Sequence, residues 1–172
     1  GKCKNCIEIF DGSSFDIREM DAASNRGVDD IRLLKKDIYQ SPLECRTKYI
    51  IIDEAHSLTG TAAEAALKMI EEPPEKVRFI FATTDPHKLK DTIQSRCIMW
   101  KFNQVGWTEL YSHLKNIATQ EKLNFDDAGL KICAKSAKGS VRNALQNLQT
   151  VVNYVGGETI TAEAAKESLG AV

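Results

Sequence analysis

The sequence predicts an α/β domain with a parallel sheet over residues 1–103, followed by an all-α domain over residues 104–172. Three observations predict it. Short apolar runs at 48–52 and 77–83 alternate with segments of helical periodicity, the pattern of parallel strands joined by crossover helices. Both runs end in polar residues, Asp53-Glu54 in one and Thr83-Thr84-Asp85 in the other. Beyond Asn103 no further run of this kind occurs, and apolar residues recur only at helical spacing.

Taken in order, residues 1–10 form a polar, Lys-rich opening that carries Cys3 and Cys6 as a C-x-x-C pair. Residues 15–20 predict a short strand, and 21–25 a loop of small polar residues. The spacing of Val28, Ile31, Leu34 and Ile38 predicts a helix over 28–40, with Pro42 past its end. Lys-Tyr-Ile-Ile-Ile at 48–52 predicts a strand buried on both faces. Thr61 and Glu64 have capping-box spacing at the head of an Ala-rich helix, which Pro73 and Pro74 stop. Strands are predicted at 77–83 and again at 98–102, the latter entered through Ser95-Arg96-Cys97. In the second domain, 107–122 predicts a helix with Leu110, Leu114 and Ile117 on one face. Asp126 caps a helix ending near Gly139. Ser140 caps another bearing Val141, Leu145, Leu148 and Val152. Gly156 and Gly157 break the pattern, and Thr161 opens a last short helix.

Composition narrows the function classes. Hydrophobic residues make up 42% of the 172, enough for a packed core. No apolar run approaches the roughly 20 residues needed to span a bilayer, so no membrane partner is expected. The opening residues do not read as a signal peptide, and without an initiator Met the chain is expected to begin inside a longer protein. A net charge of −1 provides no global attraction for nucleic acid. Five cysteines without secretory context point to thiols in a reducing compartment.

The acidic pair is the strongest local signal. Carboxylates are too costly inside an apolar strand but face the ligand crevice at the carboxyl edge of an open α/β sheet. Asp53 there can support Mg²⁺ beside a nucleotide's phosphates, and Glu54 can orient a water. The competing reading is a solvated strand end. Thr83 and Thr84 end the adjacent strand, and a hydroxyl there can reach a phosphate or that water, or both are simply strand threonines. Arg96 alone reads equally as a solvated side chain. Arg142 opposes the helix dipole in its first turn, which points to an anionic partner or again to a solvated arginine. Cys3 and Cys6 supply only half of a tetrahedral zinc site, with no cysteine nearby to complete it, and a lone C-x-x-C reads also as a redox pair, although no βαβ pattern places it as one. His56, His87 and His113 lack metal-ligand spacing and read as surface or loop histidines.

Six segments in one order resemble the gamma/tau family of bacterial DNA polymerase III clamp-loader ATPases. They are Asp21-Ala-Ala-Ser-Asn-Arg-Gly-Val-Asp-Asp-Ile-Arg32, Tyr49-Ile-Ile-Ile-Asp-Glu-Ala-His56, Glu71-Glu-Pro-Pro74, Phe81-Ala-Thr-Thr-Asp-Pro-His-Lys88, Thr92-Ile-Gln-Ser-Arg-Cys97 and Gly139-Ser-Val-Arg-Asn-Ala-Leu145. The resemblance covers nearly the whole chain. It implies an AAA+ P-loop NTPase core, here without its first strand and phosphate loop, and then a helical lid. It implies ATP with Mg²⁺ on Asp53, Glu54 as the catalytic glutamate and Thr84 at the sensor-1 position. Arg96 corresponds to an arginine finger acting in trans on a neighbour's ATP, and Arg142 to the sensor-2 arginine. Cys3 and Cys6 correspond to the last two of four zinc cysteines, so residues 1–10 are the remnant of a zinc module.

The implied partners are other clamp-loader subunits in a hetero-oligomeric ring, a sliding clamp and primer-template DNA. The implied location is the cytoplasm of a bacterium or of a phage's bacterial host. The implied task is to couple ATP binding and hydrolysis to loading of the clamp on primed DNA. No G-x-x-x-x-G-K-[ST] loop occurs in the sequence, so the 172 residues alone are expected not to turn over ATP. Glu64, Ala66 and Asn143 stand where the family usually has Asn, Leu and Asp. Two rivals stay open: a replication factor C small-subunit-like or delta-prime-like subunit, and a non-catalytic scaffold of the same ring.

Overall fold

The structure, a computed structural model, describes residues 1–24 and 28–170, with the side chains of 28–30 and 32 left aside. Asn25, Arg26 and Gly27, in the middle of the first family-like segment, lie outside the described residues. The chain divides into two compact units, Gly1–Trp100 and Lys101–Val172.

In the first unit the order is α1 (Lys4–Phe10), β1 (Ile17–Asp21), α2 (Val28–Ile38), β2 (Lys48–Asp53), α3 (Gly60–Glu71), β3 (Val77–Phe81) and α4 (Asp91–Gln94). Among the described residues the sheet has three parallel strands in the order β1-β2-β3. Its register sets Asp21 beside Asp53 and Ile52 beside Phe81, so the carboxyl ends of all three strands gather at one edge.

One face of this sheet makes the core. Ile50, Ile52 and Val77 are buried with Ile31, Leu34 and Ile38 of α2 and Ala62, Ala66 and Met69 of α3. The other face corrects the sequence reading. Tyr49 and Ile80 remain 39% and 46% exposed, so β2 is not buried on both sides among the described residues. The Tyr-Ile-Ile-Ile run carries no polar alternation to reveal this. A second correction concerns residues 98–102, which form no strand. Ile98, Met99, Trp100 and Phe102 are 85%, 63%, 79% and 93% exposed. Apolar residues permit a strand, but only a neighbouring strand with free backbone groups makes one, and none of the described strands lies beside this segment.

Two buried charges fasten the unit. Asp16, 1% exposed, accepts N–H bonds from Leu43 (2.8 Å), Glu44 (2.9 Å) and Cys45 (2.7 Å). Lys48, 3% exposed, donates to the Asp37 carbonyl (3.0 Å) and Oδ1 (3.1 Å). Arg18 Nε lies 3.2 Å from Asp37 Oδ2 as an ion pair without hydrogen-bond alignment. Helix α3 begins two residues earlier than its Thr61/Glu64 spacing indicates: Thr59 is the N-cap and its hydroxyl accepts from Ala62 N. Helices α1 and α4 were not legible in the sequence.

The second unit is helical: α5 (Trp107–Gln120), α6 (Asp127–Ser136), α7 (Val141–Val155) and α8 (Ala162–Leu169). Its core joins Leu110, Leu114 and Ala118 to Leu130, Cys133 and Ala134, and to Ala144, Leu148, Val151, Ile160 and Ala165. Ser140 and Thr161 cap α7 and α8 by accepting from Asn143 N and Ala164 N. The buried face of α7 runs through Ala144, Leu148 and Val151, whereas Val141 and Leu145 are about two-fifths exposed. Counting alanine as a core residue turns the face by one position. No helix among the described residues is long and apolar enough to cross a membrane.

Candidate active site

The carboxyl edge of the sheet collects the acids and hydroxyls that the sequence singles out. Asp53 is the last residue of β2, and its Oδ1 accepts the Glu54 N–H at 2.9 Å. Glu54 is left-handed, φ 48° and ψ 42°, a conformation that costs a non-glycine residue about 1–2 kcal/mol. This sharp bend turns the chain out of the strand into a 3₁₀ turn, Ala55–Ser57. Backbone bonds hold the bend against the end of β3, with Ala82 N donating to Ile52 O and Ala55 N to Ala82 O, both 2.9 Å.

The Glu54 carboxylate is thereby carried across to the adjacent strand. Its Oε2 accepts the Thr84 hydroxyl at 3.1 Å and lies 3.2 Å from His56 Nδ1. His56 Nδ1 is also 2.9 Å from Thr83 Oγ1, which accepts the Asp85 N–H at 3.1 Å. On the other flank, Asp21 accepts from Ala23 N and Ser24 Oγ, each at 2.7 Å. Lys88 beside Asp85 (3.0 Å) holds the Asp85 carboxyl below the usual carboxylate range. A shallow depression lined by Ile38, Pro42, Pro74 and Val77 lies beside the start of β3. The carboxyl edge, where the titratable groups converge, is the better candidate for chemistry.

The structure therefore brings Asp53, Glu54 and Thr84 together. Arg96 does not join them: its Nη1 donates to Thr92 O at 2.8 Å and its Nη2 pairs with Glu71 Oε1 at 2.9 Å, both side chains 41% exposed. Arg142 lies exposed in the first turn of α7, in the second unit. Cys3 is the N-cap of α1 and Cys6 lies within it. The Cys6 backbone N–H and thiol both lower the Cys3 pKa, which favours the thiolate that binds metal. Among the described residues no group of three or more His, Cys, Asp or Glu could hold a metal ion. Burial pushes the Cys133 thiol up to about 11 and makes it inert by contrast. His56 was missed by sequence reasoning, which took it for a surface or loop histidine. Its place two residues after Glu54, at the end of an apolar strand, was the available signal.

This is the fold of an AAA+ nucleotide-hydrolase core followed by a helical lid. The Thermotoga maritima RuvB Holliday junction branch migration motor has the same fold, with a TM-score of 0.74 at 19% identity over 95% of this chain and 55% of that one. Residues 1–106 match the family described as DNA polymerase III, delta subunit, and residues 109–150 the DNA polymerase III clamp loader subunit, ATPase lid domain. The chain is 39% identical over 170 residues to DNA polymerase III subunit tau/gamma of Haemophilus influenzae, covering 99% of itself and 25% of that protein. It is 39% identical over 169 residues to DNA polymerase III subunit gamma of Buchnera aphidicola subsp. Schizaphis graminum, covering 98% of itself and 46% of that protein. The chain belongs to the gamma/tau family of DNA polymerase III clamp-loader subunits. It spans about a quarter to a half of the length of these relatives.

Proposed function

We propose that this chain is the catalytic-edge and lid portion of a clamp-loader ATPase. In the replicative DNA polymerase holoenzyme it couples ATP binding and hydrolysis to placing a sliding clamp on primer-template DNA. The observation that carries the reading is the seating of the Glu54 carboxylate against Thr84 at the carboxyl edge of β2 and β3. Asp53 would hold Mg²⁺, which would neutralise phosphate charge. Glu54 orients a water for attack on the γ-phosphate, and Thr84 fixes one of its oxygens. Arg96 acts in trans on the ATP of a neighbouring subunit in the ring, and Arg142 of the lid meets anionic phosphate. Cys3 and Cys6 contribute two thiolates to a structural Zn²⁺ site. All five cysteines are free thiols, which suits the bacterial cytoplasm.

The test is Glu54→Gln in a complete clamp loader carrying this sequence. It keeps size and hydrogen bonding and removes the charge. ATP binding is expected to persist while turnover falls about 10²–10⁴-fold, the usual worth of a positioned acid–base group. Binding and turnover both unchanged would reduce Asp53-Glu54 to a strand end.

The match of residues 1–106 to the delta-subunit family favours a second reading, a delta-prime-like or non-catalytic scaffold subunit. ATP binding separates the two: a scaffold subunit leaves its own site empty at saturating ATP.

A further inference from the structure

We propose that His56 is a positioning residue, holding the Glu54 carboxylate in place by a close polar contact of Nδ1, whose own hydrogen bond is to Thr83. This rests on Glu54 being the residue that orients water. Nδ1 is hydrogen-bonded to Thr83 Oγ1 at 2.9 Å and lies 3.2 Å from Glu54 Oε2, a close polar contact without hydrogen-bond alignment. An ionised carboxylate only accepts, and Oε2 already receives the Thr84 hydroxyl. Thr83 Oγ1 already accepts the Asp85 N–H. A bare Nδ1 would set its lone pair against the carboxylate's. The arrangement is satisfied when Nδ1 carries a hydrogen.

The mechanical sense follows from the backbone. Glu54 leaves its strand through a left-handed bend, so its side chain starts from a position that β2 itself no longer controls. A glutamate has three rotatable bonds, and a free carboxylate would spread over several rotamers. Thr84 holds it from one side. His56 holds it from the other and is anchored in turn: the 3₁₀ turn fixes its backbone, Thr83 on the neighbouring chain segment fixes its ring, and its side chain is 20% exposed. Both grips fall on Oε2, which leaves Oε1 for the water. His56 touches no reacting atom.

The experiment uses a complete clamp loader carrying this sequence, with His56→Leu, His56→Asn and Glu54→Gln made separately. The amide nitrogen of Asn stands where Nδ1 stood, whereas Leu offers no donor. Groups that orient a reactive neighbour are worth about 10–100-fold, and that loss of kcat is expected for His56→Leu. Its ATP affinity should stay within about twofold, because the contact serves the chemical step and not ground-state binding. His56→Asn should restore kcat to within about threefold of the parent through the retained donor. Parental kcat in His56→Leu, or equal losses in the Leu and Asn variants, overturns the role. If the variants fail to assemble, ¹⁵N NMR of His56 in the unsubstituted protein decides: an Nδ1–H signature upholds the proposal, and an Nε2–H ring with bare Nδ1 overturns it. Should Glu54→Gln abolish turnover while His56→Leu does not, only the positioning role falls. Should Glu54→Gln leave turnover at the parental level, the reading of Glu54 falls and the role of His56 with it.

Discussion

Asp16 offers the sharpest stability test, because one buried carboxylate organises a whole connection. Its Oδ2 accepts from Glu44 N and Cys45 N and its Oδ1 from Leu43 N, while its carbonyl accepts Tyr49 N at 2.8 Å. Asp16→Asn keeps the shape but presents one oxygen and one NH₂ group. However the amide turns, at least one backbone N–H meets another donor. Hydrogen bonds to a charged group are worth about 1.5–3 kcal/mol, against roughly 0.5–1.5 for neutral ones. Losing one outright and weakening two gives about 3–5 kcal/mol. Leu43 is 72% exposed, so a released N–H can reach water, and a loss of about 2–3 kcal/mol is the better figure. That is a large part of the roughly 5–15 kcal/mol that holds a domain.

Urea unfolding of the purified chain, followed by amide exchange at residues 49–52, should show the midpoint falling by about 1–1.5 M with unchanged slope. Acid supplies a second arm. Burial pushes the Asp16 pKa up, but the N–H groups of Cys45, Glu44 and Leu43 outweigh this and hold it below the ordinary value. A depressed folded-state pKa means the contribution is full above the unfolded value near 3.9 and is lost as pH falls through the folded one. The gap between parent and variant should therefore be widest above about pH 4 and close below it. An unchanged midpoint, or a gap that does not narrow in acid, would refute the reasoning.

Arg96→Ala, mixed with parental subunits in an assembled ring, should leave nucleotide binding at its own site nearly intact and slow hydrolysis at the neighbour's. Arginine fingers are worth about 10³–10⁵ in rate, and the lower end is expected where other subunits contribute. A defect confined to the mutant's own site would show that Arg96 does not act in trans. Gly129→Ala would put a methyl 2.7 Å from Ile160 O and 2.9 Å from Thr161 O, both backbone atoms that yield poorly. Overpacking of about 1–3 kcal/mol should exceed the roughly 1 kcal/mol that alanine gains in a helix, so exchange of amides 130–134 should quicken; slower exchange would contradict this. With two thiolates from Cys3 and Cys6, the 172-residue chain should bind Zn²⁺ weakly, and chelator-resistant stoichiometric zinc in its monomer would count against the half-site.

Strands β2 and β3 were legible because their apolar runs stop at charged or hydroxyl residues, and a carboxylate at such a stop has nowhere to go but the sheet edge. Asp53 and Glu54 could be named for the same reason, whereas the stop at Thr83-Thr84 offered two hydroxyls and only the family resemblance singled out Thr84. The helices of the second unit were legible too, since their caps at Ser140 and Thr161 are local events within three residues of chain. What depended on partners distant in sequence could not be read. Residues 98–102 have the composition of a strand and form none, because pairing is decided by what lies alongside. Nothing local marks Asp16 as the acceptor for a loop 27 residues away. The contact that gives Arg96 its present place, Glu71, lies 25 positions back in the chain.

His56 marks the boundary most clearly. The sequence by itself determined that it follows Glu54 by two residues. Only the tertiary structure, by bending the chain at Glu54 and laying the end of β3 beside that bend, decided that its imidazole meets both Thr83 and the Glu54 carboxylate. The physical reason is range: capping, periodicity and burial cost act within a few residues, whereas a hydrogen bond across two strands exists only once the sheet has set their register.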